Sequence, residues 1–196
     1  MSNLYPKIVV CEGRSESAYI QELNRILVRG PYATPYVAAI PDSGHFLSIK
    51  RCFKEQRKKN RKMDVLIWAD KDIYLREPKD RREYEQRSPD IPEFYFSVLN
   101  FEDFLVLHLE QDKIEFWEGI CREHGHFDKP LTGEQHLALF TEHMFPAYSK
   151  GTLPFALTKE RLEALFLNLE RPHLPFGCDF LNFVRQEIEE KTLRFI

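Results

Sequence analysis

Five consecutive apolar residues, Val65-Leu66-Ile67-Trp68-Ala69, run directly into Asp70-Lys71-Asp72. An unbroken apolar run of this length suits a strand covered on both faces, and such strands belong to parallel sheets flanked by helices. Asp70 then closes the strand, at the sheet edge beyond which open α/β folds bind ligands. On an extended chain Asp70 and Asp72 point one way and Lys71 the other. Two carboxylates aimed into one crevice raise each other's proton affinity, and a divalent cation relieves the repulsion. The same residues also suit a turn followed by a helix cap.

The rest of the first half follows the same grammar. Lys7–Cys11 reads as a strand, Glu12-Gly13-Arg14-Ser15 as a turn with Ser15 as N-cap, and 16–28 as a helix that Gly30-Pro31 stops. Tyr36–Ile40 is a second strand, 46–60 a helix with Leu47, Ile49, Cys52 and Phe53 inward, and Glu93–Leu99 a fourth strand before a short helix over 101–109. The charged stretch from Ile73 to Pro92 reads as a loop with a helical turn near Asp80–Arg87. From Gln111 the pattern changes to four amphipathic helices, at 114–123, 132–144, 158–168 and 179–193, broken near Gly125, Pro130, Gly151 and Pro172. The expected fold is α/β, a mostly parallel four-stranded sheet flanked by helices (1–110) with a C-terminal helical appendage (111–196).

Charge is unevenly spread. The chain carries a net −3, yet Lys50–Lys62 holds eight Lys or Arg against one Glu, leaving −10 for the remainder. A polyanion responds to local potential, so Lys54, Arg57, Lys58, Lys59, Arg61 and Lys62 are candidate nucleic-acid contacts; the alternative is a solvated helix face. Four scattered cysteines without paired spacing suit a reducing, cytoplasmic setting. No basic leader followed by an apolar core opens the chain, and no apolar run nears the ~20 residues of a membrane span.

Several acids fall at strand ends: Glu12 and, one turn on, Glu16 after the first strand, Asp70 and Asp72 after the third, Glu102 and Asp103 after the fourth. A parallel sheet gathers these ends on one edge. With one or two Mg²⁺ or Mn²⁺ ions, such a cluster suits phosphoryl transfer, one ion serving the attacking water and the other the leaving oxygen. The helix N-terminus after Glu12-Gly13 is free to accept phosphate.

This arrangement resembles the Toprim fold, and more narrowly the RloB-like branch related to the overcoming-lysogenization-defect nucleases. The resemblance is carried by the strand-Glu12-Gly13 turn with Glu16-Ser17-Ala18-Tyr19, by Asp70-x-Asp72, by Ser97-Val98-Leu99-Asn100-Phe101-Glu102-Asp103-Phe104-Leu105-Val106-Leu107-His108, and by Tyr148-Ser149-Lys150-Gly151. It spans roughly residues 7 to 151, with no counterpart for 113–146 and with a family Ser-Asn-Pro replaced by Ser97-Val-Leu-Asn100. It implies that Glu12 is a metal ligand or general base and that Asp70 and Asp72 are metal ligands. Glu16 and Glu102 would hold a second metal, and Lys150 would neutralise charge at the scissile phosphate. It implies a Mg²⁺- or Mn²⁺-dependent nuclease acting on DNA or RNA in phage defence, beside a partner ATPase, with oligomer formation open. The alternative is a non-catalytic metal- or nucleotide-binding module working with that ATPase; a third reading is another metal-dependent phosphotransfer.

Other motifs have plainer readings. Cys121-x-x-His124-x-His126 has zinc-ligand residue types but lacks a local fourth ligand, which His136 or His143 would have to supply. His108, on an apolar helix, reads as a packed core histidine, and the 16 phenylalanines read as core. Ser43-Gly44-His45, after the second strand, reads as a helix start rather than a phosphate contact.

Overall fold

The computed structural model describes residues 5–30, 33–87, 91 and 93–196. Strands β1 (Lys7–Cys11), β3 (Tyr36–Ala39), β4 (Val65–Asp70) and β5 (Phe94–Val98) are parallel. A fifth strand, β6 (Gly177–Cys178), joins β5 antiparallel, giving the order β3-β1-β4-β5-β6. The sheet therefore has five strands, not four. Two residues carry no alternation, which is why β6 left no pattern in the sequence.

Period-two alternation sorts the side chains between two faces. Val9, Cys11, Leu66 and Trp68 face one apolar cluster, while Ile8, Val10, Val65, Ile67 and Ala69 face another. Helix α1 (Arg14–Ile26) covers the first face through Tyr19, Ile20 and Leu23, and α2 (Phe46–Lys59) covers the second through Ile49 and Phe53. Trp68 is fully buried, stacks on Phe180 with centroids 4.6 Å apart, and donates to Ser97 Oγ at 3.0 Å.

Several boundaries differ from the sequence reading. Helix α1 starts at Arg14 with Gly13 as N-cap, so Ser15 lies inside the helix; Glu16 Oε2 accepts from Gly13 N–H at 3.1 Å. The helix ends at Ile26, and Leu27–Arg29 forms β2; Pro31 lies outside the described residues. The charged stretch after Asp70 holds two helices, α3 (Asp72–Arg76) and α4 (Pro78–Arg87), the second covering the expected helical turn near Asp80–Arg87 and the first replacing expected loop, with Tyr74 and Tyr84 packed around Phe46, Phe94 and Phe96; Pro92 is outside the described residues. After α5 (Phe101–Leu105) the chain continues as a 3-10 turn through His108.

The remaining helices are α6 (Gln111–Glu123), α7 (Gly133–His143), α8 (Lys159–Leu169) and α9 (Asp179–Glu189). The last is shorter than expected, because Leu193–Phe195 forms β7 and pairs antiparallel with β2. One apolar cluster runs from β1, α1 and β4 through Trp117, Phe140, Leu165 and Phe180 of the helical region. Among the described residues no helix is long and apolar enough to cross a membrane.

Candidate functional site

β1 and β4 are neighbours at the centre of the sheet, with Cys11 in register with Trp68. Their carboxyl ends deliver Glu12 and Asp70 side by side, and Glu12 Oε2 accepts from Asp70 N–H at 2.8 Å. The other side of Glu12 lies against Gly44, where a Cβ would stand 2.8 Å from Glu12 Oε1, so only glycine leaves room for this carboxylate. Gly44 thus has a role that the helix-start reading did not contain.

Glu102 arrives from the next strand by a tight turn. Leu99 adopts a left-handed conformation (φ 69°), and its carbonyl accepts from both Lys71 N–H and Asp72 N–H at 3.0 Å. Such a conformation costs a non-glycine residue about 1–2 kcal/mol. It turns β5 into α5 within three residues and sets Glu102 in the first turn of that helix. Tyr148 Oη donates to Glu102 Oε1 at 3.1 Å, and Gly151 N–H donates to Ser15 Oγ at 3.1 Å. These contacts dock the Tyr148–Gly151 element against α1 and carry Lys150 to the cleft.

The cleft, about 390 Å³, is lined by Glu12, Glu16, Asp70 and Glu102, with Arg14 and Lys150 as its cations. Both cations are exposed. Arg14 is not among the site residues expected from the sequence, where it reads only as part of a turn; its signal is a cation in the first turn of a helix, where the macrodipole disfavours it.

Asp72 is placed differently from the expectation. The extended chain ends at Asp70, Lys71 is already helical, and Asp72 is buried in the first turn of α3. It pairs with Arg76 at 2.9 Å, and Arg76 also donates to Leu131 O at 2.8 Å. Asp72 does not line the cleft but lies close enough to raise the pKa values of Glu12 and Asp70.

The acids are electrostatically frustrated. Burial, then Glu16, hold Glu12 and Asp70 well above the ordinary carboxylate range. Burial, with Glu102 adding to it, pushes Glu16 up to about 7. Asp70 Oδ1 is buried without a hydrogen-bond partner. The acids' donor atoms are all oxygens, the ligand type that hard divalent cations such as Mg²⁺ or Mn²⁺ take, whereas among the described residues the group whose ligand atoms lie close enough together to share one ion is Asp103, Cys121, His126 and His136.

A pH prediction follows from this frustration. Glu16 holds its proton more tightly folded than unfolded, so the folded state binds more protons between pH 4.5 and about 7. Stability contributed by the protonated acids is lost as pH rises through that window. The melting temperature of the metal-free protein is expected to fall across it, and Mn²⁺ to raise the melting temperature more at about pH 8 than at about pH 5.5. Equal Mn²⁺ shifts at the two pH values would contradict the assignment.

The basic run does not reach this cleft. Gly44, just before α2, touches Glu12, so the start of α2 lies at the site. Asn60 caps its far end, next to the edge where β4 begins and where Asp64 pairs with Lys7 of β1. A 14-residue helix is about 20 Å long. Lys54, Arg57, Lys58, Lys59, Arg61 and Lys62 are exposed along the second half of α2 and just beyond its far end.

His108 is a core histidine, 2.7 Å from Tyr19 Oη and held down to about 3 by burial. His124 is exposed with its ring nitrogen Nδ1 against the Ile120 carbonyl, whereas His126 is buried with Cys121, His136 and Asp103. No family profile, curated protein or solved structure matches the chain.

Proposed function

We propose that this protein is a Toprim-like, Mg²⁺- or Mn²⁺-dependent nuclease that hydrolyses phosphodiester bonds of DNA or RNA. The observation that carries the reading is the unpartnered, buried Asp70 Oδ1 among Glu12, Glu16 and Glu102, in a cleft with two exposed cations. A divalent ion bound there supplies Lewis-acid charge to the phosphate. Asp70, Glu16 and Glu102 are its holding groups. Glu12, with one oxygen fixed by Asp70 N–H and the other at Gly44, is poised to orient an attacking water. Lys150 and Arg14 neutralise charge developing on the phosphate. Asp72 acts from behind, tied to Arg76. A role in phage defence and a partner ATPase remain part of this proposal on the strength of the resemblance alone.

The test is cleavage of plasmid, single-stranded DNA and tRNA with Mn²⁺ or with chelator. Metal-dependent cutting of any of them supports the reading and names the substrate. Mn²⁺ binding without cutting favours the non-catalytic module.

The basic run serves, in this reading, as a distal contact with the nucleic-acid backbone. Its far end lies about one length of α2, about 20 Å, from the helix start at the cleft. Replacing Lys58, Lys59 and Arg61 together with Ala is expected to weaken binding at low salt and flatten the salt dependence, with Mn²⁺ affinity unchanged. An unaltered salt slope would remove the run from the interface.

A further inference from the structure

Behind Glu102 lies a second polar cluster. Asp103, Cys121, His126 and His136 are all buried, with their ligand atoms within 4.8 Å of one another. Zinc accepts such a set, but the hydrogen bonds favour another role. Leu131 N–H donates to His126 Nδ1 at 3.1 Å, so the neutral ring carries its proton on Nε2, the nitrogen facing Asp103 Oδ2 at 3.1 Å. That nitrogen then has no lone pair for a metal. Asp103 has about four acceptor sites, and they receive Asn100 N–H, Trp117 Nε1, His126 Nε2 and His136 Nε2. The Cys121 thiol lies 4.0 Å from Asp103, with burial and then Asp103 pushing its pKa up.

His136 is different because its two nitrogens face two carboxylates. Nε2 lies 2.9 Å from Asp103 Oδ1, and Nδ1, which makes no hydrogen bond, faces Glu102 Oε2 at 3.7 Å, an ion-pair distance for the doubly protonated ring. The ring is 1% exposed and packs edge-on against Trp117 at 5.5 Å. Helix α7, capped by Thr132, fixes its backbone.

We infer that His136 is a positioning residue of the acidic site: anchored through Nε2–H on Asp103, its imidazolium presents Nδ1–H to Glu102 and holds that carboxylate toward Asp70 and Glu16. The inference rests on the metal-site reading above. It gives the helical region a direct hand in the site, since Tyr148 fixes one oxygen of Glu102 and His136 faces the other.

Two substitutions separate positioning from plain structural support. An Asn amide falls where Nδ1 stands, and a Gln amide where Nε2 stands. His136→Gln keeps the donor to Asp103 and removes the group that faces Glu102; His136→Asn keeps a group facing Glu102 and removes the donor to Asp103. Mn²⁺ titration calorimetry and thermal melting of the full chain are the readouts. Positioning predicts that His136→Gln binds Mn²⁺ at least about tenfold more weakly, and that His136→Asn stays within about threefold of wild type. Stability is expected to rank the other way, with His136→Asn melting lower. Affinity and stability falling in the same order would overturn the inference, as would unchanged affinity in His136→Gln or stoichiometric zinc in the purified protein. Wild-type protein that binds no Mn²⁺ would overturn the acidic-site reading and this inference with it. Wild-type binding that is abolished by Asp70→Asn, beside an unaffected His136→Gln, would overturn this inference alone.

Discussion

Asp70→Asn is expected to lower metal-dependent cleavage by on the order of a thousandfold while making the metal-free protein more stable at neutral pH. The loss corresponds to the several kcal/mol that a Lewis-acid ion contributes to transition-state charge stabilisation. The gain has the opposite sign because Asp70 carries a charge the fold disfavours. Burial, Glu16, Glu12, Asp72 and Glu102 all raise its pKa, and Oδ1 has no partner. A carboxyl group whose pKa is raised on folding contributes stability while protonated, below its unfolded value, and loses it as pH rises through the folded value. The neutral amide escapes that loss. Melting curves without metal are therefore expected to separate variant from wild type at about pH 8 and to converge near pH 4. Adding Mn²⁺ should raise the wild type and not the variant. Destabilisation at every pH would mean that Asp70 is a structural hydrogen-bonding group and not part of a cation site.

Asp103→Ala is expected to be among the most destabilising single changes in the chain. Asp103 is fully buried. Burial works against its charge, but His136 and His126 hold its pKa below the ordinary range. Its two oxygens terminate donors from the cap of α5, from α6, from the loop after α6 and from α7. Alanine would strand all four, at about 1–3 kcal/mol for each group left unsatisfied after local relaxation. A total near 5 kcal/mol sits at the upper end for point mutations. For a domain of this size it corresponds to a fall of about 10–20 °C in melting temperature. Urea unfolding would check it, and a loss below about 1 kcal/mol would mean that the network relaxes or rehydrates cheaply.

The sequence was most legible where one periodicity controlled the outcome. The apolar run before Asp70 fixed a central strand, and strand ends in a parallel sheet share an edge, so Glu12, Glu16, Asp70 and Glu102 meet in one cleft. Asp72 departs from the extended-chain expectation because the chain turns helical one residue earlier, at Lys71. The basic run was visible, but its distance from the cleft was not, since helix direction relative to the sheet decides that. α3 was hidden in a charged stretch whose apolar residues are Ile73, Tyr74, Leu75, Tyr84 and Ile91, while α4 extends the helical turn expected near Asp80–Arg87. The short strands β2, β6 and β7 exist through their partners, and no local pattern announces them. Tyr148 and His136 meet Glu102 across loops and helices, a contact that only the folded chain reveals.

The order in which the site's parts occur along the chain sets a clock for its assembly. The carboxylates of the cleft come from residues 12–102, the groups that fix Glu102 and supply the lysine from 136–150, and the strand that closes the sheet edge from 177–178. Translation releases the N-terminal part first. A chain still emerging from the ribosome exposes a cluster of mutually repelling acids with no Tyr148, His136 or Lys150 to set them. Under the proposed nuclease reading, the centre stays unassembled beside the messenger and transfer RNA that are making it, and is completed only once the helical region has followed.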